Sequence, residues 1–363
     1  MNRSRNSSGL GWKQFGLSVL CLVLAFILFV MIFVTAFVDR ALGQISIGGS
    51  GNGNDNLPSE GTLPSEVYTD PTLPSDFTGP TIDPDTVTLP TAPKDFLQHE
   101  KIVNIMLVGQ DRRPHETYRT RSDSMIICTF NLVDNTLTMT SFMRDLYVQI
   151  PGHGGNKMNA AYQWGGMALL SETMILNFGI HVDAFVEVDF SGFTKVVDTL
   201  GGVEVTMSQR EADYMNTFYW GAGIDNSNWN LTAGTHVLTG EQALSFSRIR
   251  KVPTINGTRD DFGRTERQRT VLNEVLRKCK TMDAGTAYAL VWDLIPIVKT
   301  DISKGEIINY FLTLFPLLAN TKIQTQRIPI DGSYELTWVG SLDVVLPDFE
   351  ENRQFLYDTL MPN

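Results

Sequence analysis

Arginine and aspartate recur together in five short clusters along this chain. Asp111, Arg112 and Arg113 follow an apolar run. Arg119, Arg121 and Asp123 precede a second one, and Arg144-Asp145 follows a third. Arg248, Arg250 and Lys251 end a helix-like segment, and Asp260, Asp261, Arg264, Arg267 and Gln268 open another. Arginine carries a permanent charge and a planar fork of donors that fits a phosphate two bonds at a time. Several arginines converging on one point repel each other unless an anion lies between them. Aspartates beside them suit a hard cation such as Mg²⁺, which takes one or two carboxylates and completes its shell with substrate phosphates. The combination suits displacement at a pyrophosphate, where a protein mostly positions groups and neutralises developing charge. A single Arg-Asp pair is more often a salt bridge or solvated surface. Five clusters gathered at element ends, where α/β sheets gather ligands, point to a site.

Other chemistries find less support. There is no Walker-type phosphate loop, no HExxH and no CxxC. The five histidines lie apart, and Gly165-Gly166 and Gly201-Gly202 read as turns. Cys21, Cys128 and Cys279 are too few and too scattered for a disulfide framework; the last two read as free thiols, with a single bridge between them as the alternative.

These clusters need elements to hold them. Apolar runs at 102–109, 125–131 and 137–142 read as strands, with a turn around Asp134-Asn135. Residues 159–177 have helical spacing, and Gly179 supplies a stop. A strand follows at 182–189, then a helix at 193–200 closed by Gly201-Gly202, and a strand at 203–207. Thr239 with Gln242 opens a helix in the manner of a capping box. An amphipathic helix spans 265–280, helices follow at 284–298 and 304–318, a strand at 322–328 and a terminal helix at 347–360. Strands and helices intermingle, so the class is α/β, with helices on both faces of a mixed sheet. No linker interrupts residues 96–363, which read as one domain.

The N-terminal part differs. Residues 15–38 hold 24 positions without a charge, flanked by Arg3, Arg5 and Lys13. A bilayer core needs about 20. The run is too long for a cleaved signal peptide, and the basic flank is expected to stay inside. The expectation is a cytoplasmic tail at 1–14, a transmembrane helix at 15–38 and an extracytoplasmic remainder. Residues 39–95 are rich in Gly, Ser, Pro, Thr and Asp and repeat Leu-Pro-Ser-Glu, which suggests a disordered, semi-stiff spacer. Formal net charge is −11, which argues against a nucleic-acid binder. Residues 96–363 are themselves net negative, so an anion must be held by local clusters.

The segments NIMLVGQDRR (104–113), RSDSMIICTFN (121–131), SFMRDLYVQIPG (141–152), KMNAAYQWGG (157–166), VDFSGFTKVVDTLGGVEV (188–205), LTGEQALSFSRIRK (238–251) and DDFGRTERQRTVL (260–272) run in the order seen in LytR-CpsA-Psr proteins. The chain resembles that family closely over about residues 101–280 and loosely beyond. Two positions depart from its pattern: Met143 where proline usually precedes Arg-Asp, and Gln110 where a small residue is usual. Residues 252–256 resemble a loop extension beside the substrate entrance.

The resemblance implies a three-layer α/β/α sandwich with a hydrophobic pocket for a polyprenyl chain. It implies a phosphotransferase that moves an anionic glycopolymer, such as teichoic acid or capsule, from polyprenyl pyrophosphate to a muramic acid hydroxyl of peptidoglycan. Carried over residue by residue, Asp111 and Asp123 match the Mg²⁺ site, where Mn²⁺ could substitute. Arg121, Arg144, Arg248, Arg250 and Arg264, with Gln268, match the pyrophosphate site. Asp123 and Asp145 are both open as the base beside Arg144, and Arg267 lies in a family motif with no clear role. The implied partners are the lipid-linked glycopolymer, the peptidoglycan acceptor and the cytoplasmic membrane. Three other readings compete: a pyrophosphatase using the same site, a non-catalytic wall-polymer receptor, and a membrane-bound transcriptional attenuator. The last fits poorly with an acidic domain and a 14-residue tail.

Overall fold

The computed structural model describes residues 80–91, 99–110, 120–218, 224–279, 299–300 and 321–362. In chain order the elements are β1 (Ile102–Gln110), β2 (Ser122–Asn131), β3 (Thr136–Phe142), β4 (Tyr147–Ile150), β5 (Gly154–Lys157), α1 (Met158–Phe178), β6 (Ala184–Asp189), α2 (Phe190–Thr199) and β7 (Val203–Met207). They continue as α3 (Gln209–Thr217), β8 (Gly234–Leu238), α4 (Gly240–Arg248), α5 (Asp260–Cys279), β9 (Lys299–Thr300), β10 (Lys322–Ile328), β11 (Tyr334–Val339), β12 (Leu342–Pro347) and α6 (Phe349–Leu360). The described residues group into two compact units. One holds those up to 185 together with those from 324, and the other those between 186 and 323. The run at 15–38 and the helices expected at 284–298 and 304–318 lie outside the described residues.

In the first unit, strands lie in the order β10-β3-β2-β1. β2 pairs antiparallel with both neighbours, placing Ile105 opposite Cys128 and Cys128 opposite Met139. In β1 and the middle of β2 apolar residues follow one another because these strands are covered on both faces, whereas β3 alternates Thr and apolar residues yet is buried from Leu137 on. Ile105, Met106, Ile127, Leu137 and Met139 are fully buried, and each such side chain contributes about 1.5–3 kcal/mol of transfer free energy. The turn after β2 is closed by Asn131, whose Oδ1 accepts from the amides of Val133 and Asp134. Asn135 then takes the left-handed conformation, φ 50°, which asparagine tolerates better than most residues. α1 ends where expected, on Gly179 at φ 70°. It is kinked at Gly166, φ 63° and ψ −148°, so the expected turn became a break inside one long helix. Arg353 of α6 donates to the carbonyls of Leu176 and Asn177, satisfying the last turn of α1.

Residues 82–89 depart from the sequence expectation. They belong to the stretch read as a disordered spacer, yet they are seated on this unit. Ile82 donates to the Trp338 carbonyl at 2.7 Å and accepts from Gly340 at 2.9 Å. A 3₁₀ turn at Pro84–Thr86 is capped by Asp83. Ile82, Val87 and Leu89 then pack on buried Tyr147, Val339 and Val344. Three apolar side chains among prolines were enough to bury a face that composition alone did not reveal.

In the second unit, β7 pairs antiparallel with β8, and β6 with β9. Asp189 caps α2 through the Gly192 amide. Two reciprocal capping boxes fix helix starts: Ser208 with Glu211 on α3, and the expected Thr239 with Gln242 on α4.

Candidate functional site

The first unit gathers one set of charged groups around the β3–β4 connection. Arg144 and Asp145 sit in the turn between those strands. Their backbone is held from both sides: Asn159 donates to the Arg144 carbonyl, and Val345 to that of Asp145. Arg144 Nε reaches Asp145 Oδ2 at 3.3 Å, and Lys157 Nζ reaches Asp145 Oδ1 at 3.2 Å. Lys157 is buried. It stands immediately before α1, whose N-terminus therefore opens at this cluster. Arg121, just ahead of β2, donates from Nε to Gln163 Oε1 of α1 at 3.1 Å.

Between Gly109 and Gln110 the β1–β2 register shifts: Gly109 lies opposite Ser124, and Gln110 opposite Ser122. Asp123 is thus the extra residue of a bulge, a device that re-aims side chains at strand ends. The Asp123 side chain and the whole of Asp111 lie outside the described residues.

The second unit gathers another set at the start of α5. Asp261 faces two arginines: Arg250 Nε lies 2.6 Å from Oδ1 as an ion pair, and Arg264 Nη2 donates to Oδ2 at 3.2 Å. Two guanidiniums thus meet at one carboxylate, and guanidiniums suit phosphate oxygens. Arg248 closes α4 with its guanidinium 4.8 Å from the centroid of Phe190, at the start of α2. A cation–π contact of this kind contributes about 0.5–2 kcal/mol and restrains the arginine. Gln268 follows Arg264 by one helical turn and is half-buried.

Arg267 is the largest fully buried side chain among the described residues. Its Nε donates to Glu211 Oε1 at 2.8 Å, while Glu211 Oε2 accepts from the Ser208 amide and hydroxyl in the α3 capping box. Burial pulls the Arg267 pKa below its ordinary value, and Glu211 opposes that shift.

Arg144 and Asp145 are in contact, as are Arg250 and Arg264 through Asp261. Lys157, Gln163 and Glu211 were missed as partners by sequence reasoning. Only Glu211 carried a usable signal, the Ser-x-x-Glu spacing from Ser208. Asp261 was noticed within a cluster but given no role. Among the described residues no group of three or more His, Cys, Asp or Glu side chains is placed to hold a metal.

A mixed α/β fold with a central mixed sheet, and arginines gathered around single carboxylates at element ends, defines the class of this protein. Residues 81–355 match the model of the LytR_cpsA_psr family, and the chain belongs to that family. Bacillus cereus TagU, a polyisoprenyl-teichoic acid–peptidoglycan teichoic acid transferase, is 32% identical over 232 residues, 63% of this chain and 69% of that protein. Bacillus subtilis TagT, of the same description, is 32% identical over 243 residues, 66% and 70% of the two chains. A solved structure of TagT with bound octaprenyl pyrophosphate lipid superposes with a TM-score of 0.51 at 27% identity, covering 72% of this chain and 90% of that one.

Proposed function

We propose that this protein is a membrane-anchored phosphotransferase that moves an anionic glycopolymer from a polyprenyl-pyrophosphate carrier to a muramic acid hydroxyl of peptidoglycan. The observation that carries the reading is Asp261 shared by Arg250 and Arg264. It brings two guanidiniums together at one carboxylate in a chain whose net charge is −11. The transferase description of TagU and TagT and the pyrophosphate lipid in the TagT structure support the same reading.

In this reading Arg121, Arg144, Arg248, Arg250, Arg264 and Gln268 are the residues that bind the pyrophosphate oxygens. Asp145 keeps Arg144 in place and is itself held by Lys157. The acceptor hydroxyl passes its proton to a carboxylate, for which Asp123 and Asp145 are the two at hand. Its oxygen then attacks the phosphorus that carries the polymer, and polyprenyl phosphate leaves. Asp111 and Asp123 are the carboxylates that would hold Mg²⁺, a hard cation that prefers oxygen donors. When bound, that ion would neutralise charge on the phosphate oxygens.

The chain in detergent micelles, incubated with lipid-linked oligosaccharide, peptidoglycan fragments and Mg²⁺, should yield a phosphodiester-linked conjugate identifiable by mass. Release of free phosphorylated oligosaccharide alone, with acceptor present, would establish a pyrophosphatase instead. Residues 15–38 are proposed as the anchor, with the catalytic part outside. Protease added to intact protoplasts should therefore remove that part, and protection of it would reverse the topology.

A further inference from the structure

Arg267 has no role in the transfer reading, yet its contacts in the second unit are unusual. Besides Glu211, it donates from Nη1 to the carbonyl of Ile249 and from Nη2 to that of Val252, each at 3.0 Å. Its guanidinium also lies 5.7 Å from the centroid of Phe246. A buried ion pair is by itself weak evidence for stability, because well-packed apolar residues often replace one at no cost. What this pair does is specific. The two carbonyls lie three residues apart, and between them sit Arg250 and Lys251. Both ends of the segment that carries Arg250 are tied to α5, the helix that also carries Asp261 and Arg264.

A neighbouring glycine fits this clamp. A Cβ on Gly263, one turn before Arg267, would fall 2.8 Å from the Thr258 carbonyl and 3.3 Å from Arg267 Nη1. That position is bare where backbone and guanidinium converge. Farther out, Asn256 donates to Glu266 at 2.7 Å, and Thr254 and Thr258 hydrogen-bond each other, so the 252–258 loop is fastened to the same helix.

We infer that Arg267, oriented by Glu211, is a positioning residue: it sets the 249–252 segment so that Arg250 meets Asp261 beside Arg264, and thereby governs how this protein distinguishes a lipid pyrophosphate from a lipid monophosphate. The inference rests on the pyrophosphate reading above. Lysine cannot replace Arg267, because one ammonium cannot reach a carboxylate and two separate carbonyls in the plane that a guanidinium spans.

The test is a double-mutant cycle on the full chain in detergent micelles. The probes are polyprenyl pyrophosphate and polyprenyl monophosphate, and binding is measured by calorimetry after each variant has been shown to melt cooperatively. Arg267→Lys should weaken pyrophosphate binding about tenfold, the loss of one well-placed charge-assisted contact, and change monophosphate binding little. Adding Arg267→Lys to Arg250→Ala should cost little more than Arg250→Ala alone, since both remove the same contact. A folded Arg267→Lys protein with wild-type discrimination overturns the inference, and so do losses that simply multiply. If Arg267→Lys does not fold, the cycle is run with Glu211→Gln, which keeps the shape and an acceptor but removes the charge, with the same criteria. An Arg250→Ala protein that binds pyrophosphate lipid like wild type would instead overturn the pyrophosphate reading, and the inference with it.

Discussion

The ammonium of Lys157 stands 3.2 Å from Asp145 Oδ1, and it reaches there from the residue that immediately precedes α1. A residue at that place commonly turns its side chain back to cap its own helix. Lys157 makes no such bond and spans instead to the turn that carries Arg144. A helix start and the turn that carries Arg144 are thereby joined by one ion pair whose ammonium is buried. Lys157→Met should lower stability by about 1–3 kcal/mol, the cost of leaving a buried charged group with one partner fewer. It should lower turnover more than this loss explains, because Asp145 then loses the ammonium that helps hold it beside Arg144. Lys157→Arg should recover most of both. Thermal denaturation and conjugate formation on the same preparations check this, and a variant that melts early but turns over normally when folded makes Lys157 purely structural.

Asp261 offers a test that separates binding from positioning. Asp261→Asn removes the negative charge between Arg250 and Arg264 but keeps the volume. The two guanidiniums then repel, and the melting temperature of the chain without ligand should fall. Inorganic pyrophosphate should restore it, giving a larger ligand-induced shift than in wild type, since the anion now replaces the lost carboxylate as well. Turnover should drop about tenfold or more, because an Arg250 without its carboxylate is no longer aimed. Equal shifts in both proteins would mean that pyrophosphate does not bind beside these arginines.

The strap at 82–89 makes a stability prediction. Ile82→Asp places a charge on the cluster of Tyr147, Val339 and Val344, and should cost about 2–4 kcal/mol through lost burial and an unpaired charge. Deleting residues 41–79 should leave the melting temperature nearly unchanged. Extending the deletion through residue 91 should lower it by many degrees. If both deletions behave alike, the strap contributes nothing to the fold.

The same strap shows why some of this fold could be read from sequence and some could not. β1 and β2 were legible because two-sided burial writes itself as apolar runs, and β3 because its threonines alternate with apolar residues. The α4 start was legible because a capping box has a fixed spacing. The β4–β5 hairpin was not, since Pro151-Gly152-His153-Gly154-Gly155 carries no alternation and reads as loop. β11 and β12 hide in the same way, with polar and apolar residues mixed on strands that are partly exposed. The site followed the same division. Arginines and aspartates announced themselves by clustering, whereas Lys157 and Glu211 are single charges whose meaning is their burial, and burial is a property of the folded chain.

Arg144 gives the sharpest test of the transfer chemistry. Its Nε is engaged by Asp145 at 3.3 Å, so the side chain is held before any substrate arrives. Preorganised charge of this kind acts mainly on the transition state, where the phosphoryl oxygens gain charge. Arg144→Ala should reduce turnover by about 10³-fold, in the range of a single arginine in phosphoryl transfer, with a much smaller effect on lipid binding. Arg144→Lys keeps the charge and loses the fork, so it should recover only part of the rate. A purely structural Arg144–Asp145 pair predicts a different pattern. The pair is about one-fifth exposed on each side, so Arg144→Ala would then cost about 1 kcal/mol or less of stability after solvent screening, and turnover per folded molecule would stay level. Measuring melting temperature, lipid affinity and turnover for both variants decides between the two. An Arg144→Ala protein that turns over within a few-fold of wild type removes Arg144 from the chemistry and leaves the transfer to the arginines on α4 and α5.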